Sequence, residues 1–192
     1  MKVERILTKT GEIYGVEVLA KDFYKDKEEF FRTANGLTDL LLFQKHIELI
    51  KLFKGNVYFF LNLKPSTLIE HFEKVLEWAR ENPYVVIELT EEYLTPSQEE
   101  RLVHLRTLLT NPICLDDFGM QASNYHRISL LRPEFIKVDI KAVGRLAIED
   151  VIRGLRKVSS SSKIVVEKIE TEEDYLASLS GDLFQGYYFE RI

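Results

Sequence analysis

The sequence predicts an α/β fold, and within that class a closed (β/α)8 barrel of the TIM type in preference to an open sheet. Short β-branched or aromatic runs alternate with longer helix-like stretches along the whole chain. The runs number eight, with seven connections, most of them helical. Strands separated by helices at this spacing call for parallel pairing through right-handed crossovers. Most runs also bring a polar or charged residue to the C-terminal end, the end at which barrels of this kind gather their active sites. The length of 192 residues counts against closure, since such barrels usually need roughly 200 or more.

The elements follow in order. Residues 3–7 and 12–20 read as two strands around a Lys9-Thr10-Gly11 turn. A long helical stretch at 28–54 precedes VYFFLNL at 57–63, a run apolar enough to be buried on both faces. Pro65 and Ser66 open a helix carrying Phe72, Val75, Leu76 and Ala79 at helical spacing. Strand 84–89, helix 96–109, strand 113–115, helix 124–131 and strand 135–138 continue the alternation. A helix at 146–158, strand 163–167, a short helix at 172–179 and strand 183–188 complete it. No internal repeat or linker divides the chain, so residues 1–192 are expected to form one domain.

Composition narrows the function. A formal net charge of −5 gives no electrostatic attraction to nucleic acid polymers or anionic lipid. No stretch approaches the roughly 20 apolar residues of a membrane span, and the N-terminus lacks a signal-peptide core, so a cytoplasmic protein is expected. The single Cys114 cannot form an internal disulfide and reads as a core residue.

The informative pattern is at the strand ends. Glu17 lies in the second run, Asn62 ends VYFFLN, Glu88 ends VVIE, and Asp116 and Asp117 close ICLDD. Lys137 lies in FIKVD, Glu167 ends IVVE, and Gln185 sits in LFQGY. One Glu ending a strand is usually a solvated edge or a helix cap, but that reading weakens when it must explain seven runs. Carboxylates and an amide oxygen are hard ligands, suited to Mg²⁺ or Mn²⁺. The four histidines show no ligand spacing for zinc. Two divalent ions would offset the mutual repulsion of the carboxylates, and such a pair commonly serves phosphodiester hydrolysis. The structural alternative for Lys137 and Glu167 is a buried ion pair joining two strands.

The motifs resemble those of the EAL domain family. GVEVLAK at 15–21 is similar to the segment that names the family, with Val18 where alanine is usual. LNLKPSTL, IELTEE, LDDFG, FIKVD, VVEKIET and FQGYYF then follow in the family's order. The resemblance implies a barrel whose first strand is antiparallel to the rest. It also implies binding of cyclic di-GMP and its opening to linear pGpG with two Mg²⁺ or Mn²⁺ ions per site. By matching position, Glu17, Asn62, Glu88 and Asp116 would hold one metal, and Asp116, Asp117 and Glu167 the second. Lys137, Glu167 and Glu170 would serve catalysis, while Lys21, Gln185 and Asp117 would touch the nucleotide. Glu91 would brace the loop after Asp117, which the family links to metal binding and dimerisation, so a homodimer stays open.

There are departures. Lys21 stands where arginine is usual, FFRTAN at 30–35 lacks the expected proline and acid, MQASN at 120–124 lacks a glycine, and Lys168 replaces another. A phosphodiesterase and a catalytically inactive EAL-type module, binding cyclic di-GMP or a protein partner, both remain compatible with this sequence.

Overall fold

The computed structural model describes residues 2–19, 36–53, 57–119 and 123–190. The expectations for Lys21, for 30–35 and for 120–122 lie outside the described residues. Eight strands close into a barrel in sequence order. They are β1 (Lys2–Thr8), β2 (Ile13–Leu19), β3 (Tyr58–Leu63), β4 (Val85–Leu89), β5 (Ile113–Leu115), β6 (Phe135–Asp139), β7 (Lys163–Glu167) and β8 (Leu183–Gln185). β1 is antiparallel to both neighbours, β2 and β8, and all other pairs are parallel. The reason is local. Only the turn at 9–12 separates β1 from β2, and a parallel pair needs a crossover of a dozen or more residues. That turn is closed by Thr8 N–H donating to Glu12 O at 2.9 Å and Gly11 N–H to Thr8 O at 3.0 Å, with Gly11 at φ 83°.

Around the barrel lie α1 (Gly36–Ile50), α2 (Pro65–Glu70), α3 (Phe72–Arg80), α4 (Pro96–Arg106), α5 (Tyr125–Leu131), α6 (Ile140–Val143), α7 (Ile148–Val158) and α8 (Glu172–Ala177). Among the described residues no helix is long and apolar enough to cross a membrane. Alternation along the strands makes two cores. Phe59, Leu61, Leu63, Val85, Ile87 and Leu89 face outward and pack with Phe43, Ile47, Leu68, Val75 and Leu102 of the helices. Phe60, Val86, Cys114, Phe135, Val165 and Leu183, with Ile6, fill the barrel itself. Tyr14 and Tyr58, stacked at 5.3 Å, close its lower end. Each fully buried side chain of this size contributes about 1.5–3 kcal/mol of transfer free energy. Cys114 belongs to that interior layer, and burial pushes its thiol pKa well up.

The chain closes a barrel at this length because its elements are short. α6 has 4 residues, α8 has 6, and β5 and β8 have 3 each. The helix ends are firmly stopped. Thr95 and Gln98 form a capping box on α4, Asn124 caps α5, and Arg132, left-handed at φ 46°, ends α5 just before Pro133. Several boundaries differ by a few residues from the sequence expectation, and three of the differences have a plain local cause. The helix opened by Pro65 is two helices, broken at His71 (φ −120°, ψ 27°). A turn of helix, α6, forms because the Asp139 carboxylate accepts from Lys141 N–H at 2.7 Å and Ala142 N–H at 3.2 Å. β8 ends at Gln185, not 188, because Gly186 turns the backbone at φ 149°, where any Cβ would collide with the Ile169 carbonyl oxygen.

His46 of α1 is 1% exposed, and burial pushes its pKa down to about 4. The folded pKa is below the unfolded value near 6.5, so the unfolded state binds the proton first. The associated stability is present above about pH 6.5 and is lost as pH falls toward 4. We expect the difference in unfolding free energy between His46→Leu and the parent to move in the variant's favour by up to about 3 kcal/mol between pH 7 and pH 4, measured by urea denaturation. A difference independent of pH would contradict it.

Candidate active site

The polar groups at the strand ends reach one place because each lies two residues beyond an interior apolar residue, and side chains two apart share a strand face. Phe60 is followed in this sense by Asn62, Val86 by Glu88, Cys114 by Asp116, Phe135 by Lys137, Val165 by Glu167 and Leu183 by Gln185. Gly15 precedes Glu17 in the same way. A polar layer therefore sits on an apolar one, at the mouth formed by the C-terminal ends of the parallel strands.

Lys137 is the hub of that layer. Its Nζ lies 2.9 Å from Glu17 Oε2, 2.8 Å from Glu88 Oε1, 3.2 Å from Glu167 Oε2 and 3.6 Å from Asp116 Oδ1. The two-residue ion pair weighed from the sequence is thus one edge of a five-residue cluster spanning four strands and the end of β5. Asn62 Nδ2 donates to Glu17 Oε1 at 3.0 Å, and Gln185 Nε2 donates to Glu17 Oε2 at 2.6 Å.

These contacts divide the carboxyls. Burial works to raise the pKa of Glu17, but the Lys137 charge and the hydrogen bonds from Gln185, Lys137 and Asn62 hold it below the usual range. Glu88, 0% exposed, is pushed well up by burial and by its acidic neighbours Glu17 and Asp116. Asp116 is raised to about 6 and Glu167 to about 8, burial being the largest cause in each, ahead of the surrounding carboxylates. Burial alone would lower the pKa of Lys137, yet its four acidic neighbours raise it well above the ordinary value.

Loops hold the remaining residues. Phe118 N–H donates to the Lys137 carbonyl at 2.9 Å, which ties the Asp116–Asp117 pair to β6. Oxygens of Glu91, Asp116 and Asp117 lie within 4.8 Å of one another. Glu170 lines the same cavity, of about 320 Å³, but it is exposed and pairs with Lys141 at 3.3 Å. Its loop is anchored by Asp174, whose carboxylate accepts from Lys141, Arg145 and the backbone N–H of Glu170 and Thr171. Lys168, left-handed at φ 59°, pairs with Asp139 at 2.6 Å and Asp117 at 3.5 Å.

The site fits hard divalent cations by its donor set. Glu88 Oε2, Asp116 Oδ1 and Gln185 Oε1 are buried without a hydrogen-bond partner among the described residues, a costly state that an oxygen-seeking cation would relieve. All the strand-end residues singled out from the sequence converge here, Asp117 and Glu91 border them, and Lys21 lies outside the described residues.

Three residues were missed. Glu4 lines the cavity and accepts from Gln185 Nε2 at 3.3 Å. Because β1 is antiparallel, its early residues face the mouth, and alternation with Ile6 was the available signal. Asp139 lies one residue past the predicted end of β6, but two beyond Lys137. Arg127, 3% exposed, donates to the Glu92 carbonyl at 2.9 Å and so fastens α5 to the loop bearing Glu91. A lone Arg in a helix gives no sequence signal for that.

Comparison with known proteins supplies the relationship. The sequence model of one family, the EAL domain, matches residues 6–191. The cyclic di-GMP phosphodiesterase TpdA of Vibrio parahaemolyticus is 29% identical over 122 residues, covering 58% of this chain and 21% of that protein. The probable cyclic di-GMP phosphodiesterase PdeG of Escherichia coli is 34% identical over 124 residues, covering 58% of this chain and 24% of that protein. The chain thus spans under a quarter of the length of these curated relatives. A standalone EAL protein from Vibrio cholerae O395, solved in its c-di-GMP-bound form, superposes with a TM-score of 0.78 at 20% identity, covering 97% of this chain and 88% of that one. At that identity the likeness concerns the fold.

Removing Lys137 would leave four acidic groups without their shared cation. Lys137→Met should lower the unfolding free energy of metal-free protein at pH 7 by about 3–5 kcal/mol, read by chemical denaturation. Adding Glu88→Gln to that variant should restore part of the loss, since the two residues are in direct contact. A single variant as stable as the parent would mean the ammonium does not hold the cluster together.

Proposed function

The chain belongs to the EAL domain family, and from that premise we propose that its barrel mouth binds cyclic di-GMP and hydrolyses it to linear pGpG with Mg²⁺ or Mn²⁺. The observation that carries the reading is the buried Lys137-centred cluster with carboxylate oxygens left unbonded, in a cavity large enough to admit a phosphodiester. The names of the relatives TpdA and PdeG, and the nucleotide-bound state of the Vibrio cholerae structure, support the substrate.

In this reading Glu17, Asn62, Glu88 and Asp116 hold one ion, and Asp116, Asp117 and Glu167 hold the second. The ions, when bound, supply Lewis acidity toward phosphoryl oxygens and ease deprotonation of a water. The chain's own groups do the positioning. Glu17, kept anionic by Lys137 and two amide donors, offers a fixed charge at the floor of the site. Lys137 has three donor hydrogens and no acceptor, so its ammonium could hold the attacking water and a phosphoryl oxygen together. Gln185, whose Nε2 donates to Glu17, presents an unbonded Oε1. Glu170 and Glu91 steady the rims of the second site. Water adds to phosphorus, the P–O3′ bond breaks, and the released 3′ oxygen takes the proton, leaving the phosphate on the 5′ side of pGpG.

A second reading is an inactive module of the same family that binds the nucleotide or a protein partner. It is favoured by the ammonium of Lys168, which engages Asp117 at 3.5 Å. Pairing of two copies into a homodimer is compatible with either reading.

Purified protein with cyclic di-GMP and Mn²⁺ should yield pGpG by chromatography. Glu88→Gln should reduce turnover by more than the roughly 10–100-fold typical of losing a metal's outer support. Mn²⁺ should also raise the melting temperature of the parent, because an ion bound only by the folded state stabilises it, and Glu88→Gln should lose most of that rise. Nucleotide binding in Ca²⁺ without any pGpG in Mn²⁺ or Mg²⁺ would replace the enzyme with the inactive module.

A further inference from the structure

A second ammonium stands at the mouth, on the outer side of the carboxylate cluster. Lys168 directly follows Glu167, and its backbone is left-handed at φ 59°, a conformation that disfavours any residue with a side chain. Its Nζ is 2.6 Å from Asp139 Oδ2 and 3.5 Å from Asp117 Oδ1. Asp117 is left-handed too, at φ 44°. Two strained residues, on the loops after β5 and β7, therefore reach each other across the cavity through an ion pair. Oxygens of Glu91 and Asp116 lie within 4.8 Å of an Asp117 oxygen.

The two ammonium groups of the site differ in kind. Lys137 is 1% exposed and locked among four strands. The Lys168 side chain is 50% exposed, at the end of a flexible four-carbon stem, and is free to leave. A divalent ion shared by Asp116 and Asp117 must take Asp117 Oδ1 from Lys168 and then sit within a few ångströms of its positive charge. An ion among Glu17, Asn62 and Glu88 meets no contact from Lys168 in the structure.

We propose that Lys168 is a built-in cation for the outer half of the site, holding Asp117 and Asp139 together in the absence of a divalent ion and competing with that ion for Asp117. The inner and outer halves then differ in affinity, and occupation of the outer half is the step that Lys168 controls. This rests on the reading of the mouth as a divalent-cation site.

The test is calorimetric titration of Mn²⁺ into chelator-treated protein without nucleotide, for the parent, Lys168→Met, Lys168→Gly and Lys141→Met. Lys141 is a nearby lysine that pairs with Glu170 and Asp174 instead. The parent should show one tight step and a second step weaker by about tenfold or more, and Lys168→Met should tighten that second step by about tenfold. Lys168→Gly should do the same while losing less metal-free stability than Lys168→Met, because glycine accepts a φ near +59° without strain and so offsets part of the loss of the ion pairs to Asp139 and Asp117. Lys141→Met should move the second step by much less than either Lys168 variant, because its ammonium pairs with Glu170 and Asp174 and not with Asp117. A parent that binds Mn²⁺ with a second step unmoved by either Lys168 variant overturns the proposal and leaves the metal site standing. A shift as large in Lys141→Met overturns it as well, since general charge would then be the cause. If neither the parent nor the Lys168 variants bind Mn²⁺, the proposal and the divalent-site reading fall together.

Discussion

The Lys137 ammonium stands within 3.6 Å of four carboxyl groups contributed by β2, β4, β7 and the end of β5. In water such contacts are worth little, but this group is 1% exposed and rests on a layer of Phe60, Val86, Cys114 and Phe135. Low local polarisability makes both the attraction to Lys137 and the repulsion among the acids large. One ammonium cannot offset four carboxylates, so burial and mutual repulsion push the carboxyl groups apart in proton affinity. Glu17, with three hydrogen-bond donors, stays ionised, while Glu88 and Glu167 rise above their ordinary range. The strands of the barrel thus converge on a site with more carboxyl groups than its one ammonium can offset, a donor set that fits a hard divalent cation.

The barrel supplies this arrangement through a two-layer rule. From β3 to β8 each strand offers an apolar residue to the interior and, two residues on, a polar one to the mouth; β2 does the same with Gly15 and Glu17, and the reversed β1 with Ile6 and, two residues back, Glu4. The apolar layer excludes water from below and fixes the rotamers of the residues above, so the polar groups meet at hydrogen-bond distance in the free protein. The shortest strands, β5 and β8, retain this pair and little else. A chain of 192 residues can therefore close a barrel and still present a full set of mouth residues.

The rim depends on backbone bonds. Phe118 N–H binds the Lys137 carbonyl, Ile169 N–H binds the Gln185 carbonyl at 3.1 Å, and Arg127 binds the Glu92 carbonyl. Each ties a loop to the strand or loop next to it around the barrel, so the positions of Asp117, Glu167 and Glu91 are not independent. The left-handed backbone at Asp117 and Lys168 is held by these neighbours, and it turns both side chains into the cavity. Among the described residues, the departure from the family pattern that falls on this rim is Lys168, while the inner layer of Glu17, Asn62, Glu88 and Lys137 is kept.

The sequence by itself determined the fold class, the number and order of strands, and the inner site. Those follow from local rules: the alternation of strand and helix patterns, and one polar residue recurring at the end of apolar runs such as VYFFLN and VVIE. Glu4 was not legible because its place at the mouth depends on β1 running against the other strands. Asp139 was hidden by a strand boundary set one residue early, and Arg127 by a contact across 35 positions of sequence. Only the tertiary structure decided that Lys137 meets four acids rather than one, and that Lys168 faces Asp117 and Asp139. Those pairings join residues up to 120 positions apart, and closure of the barrel, a long-range event with no local signature, is what brings them within reach.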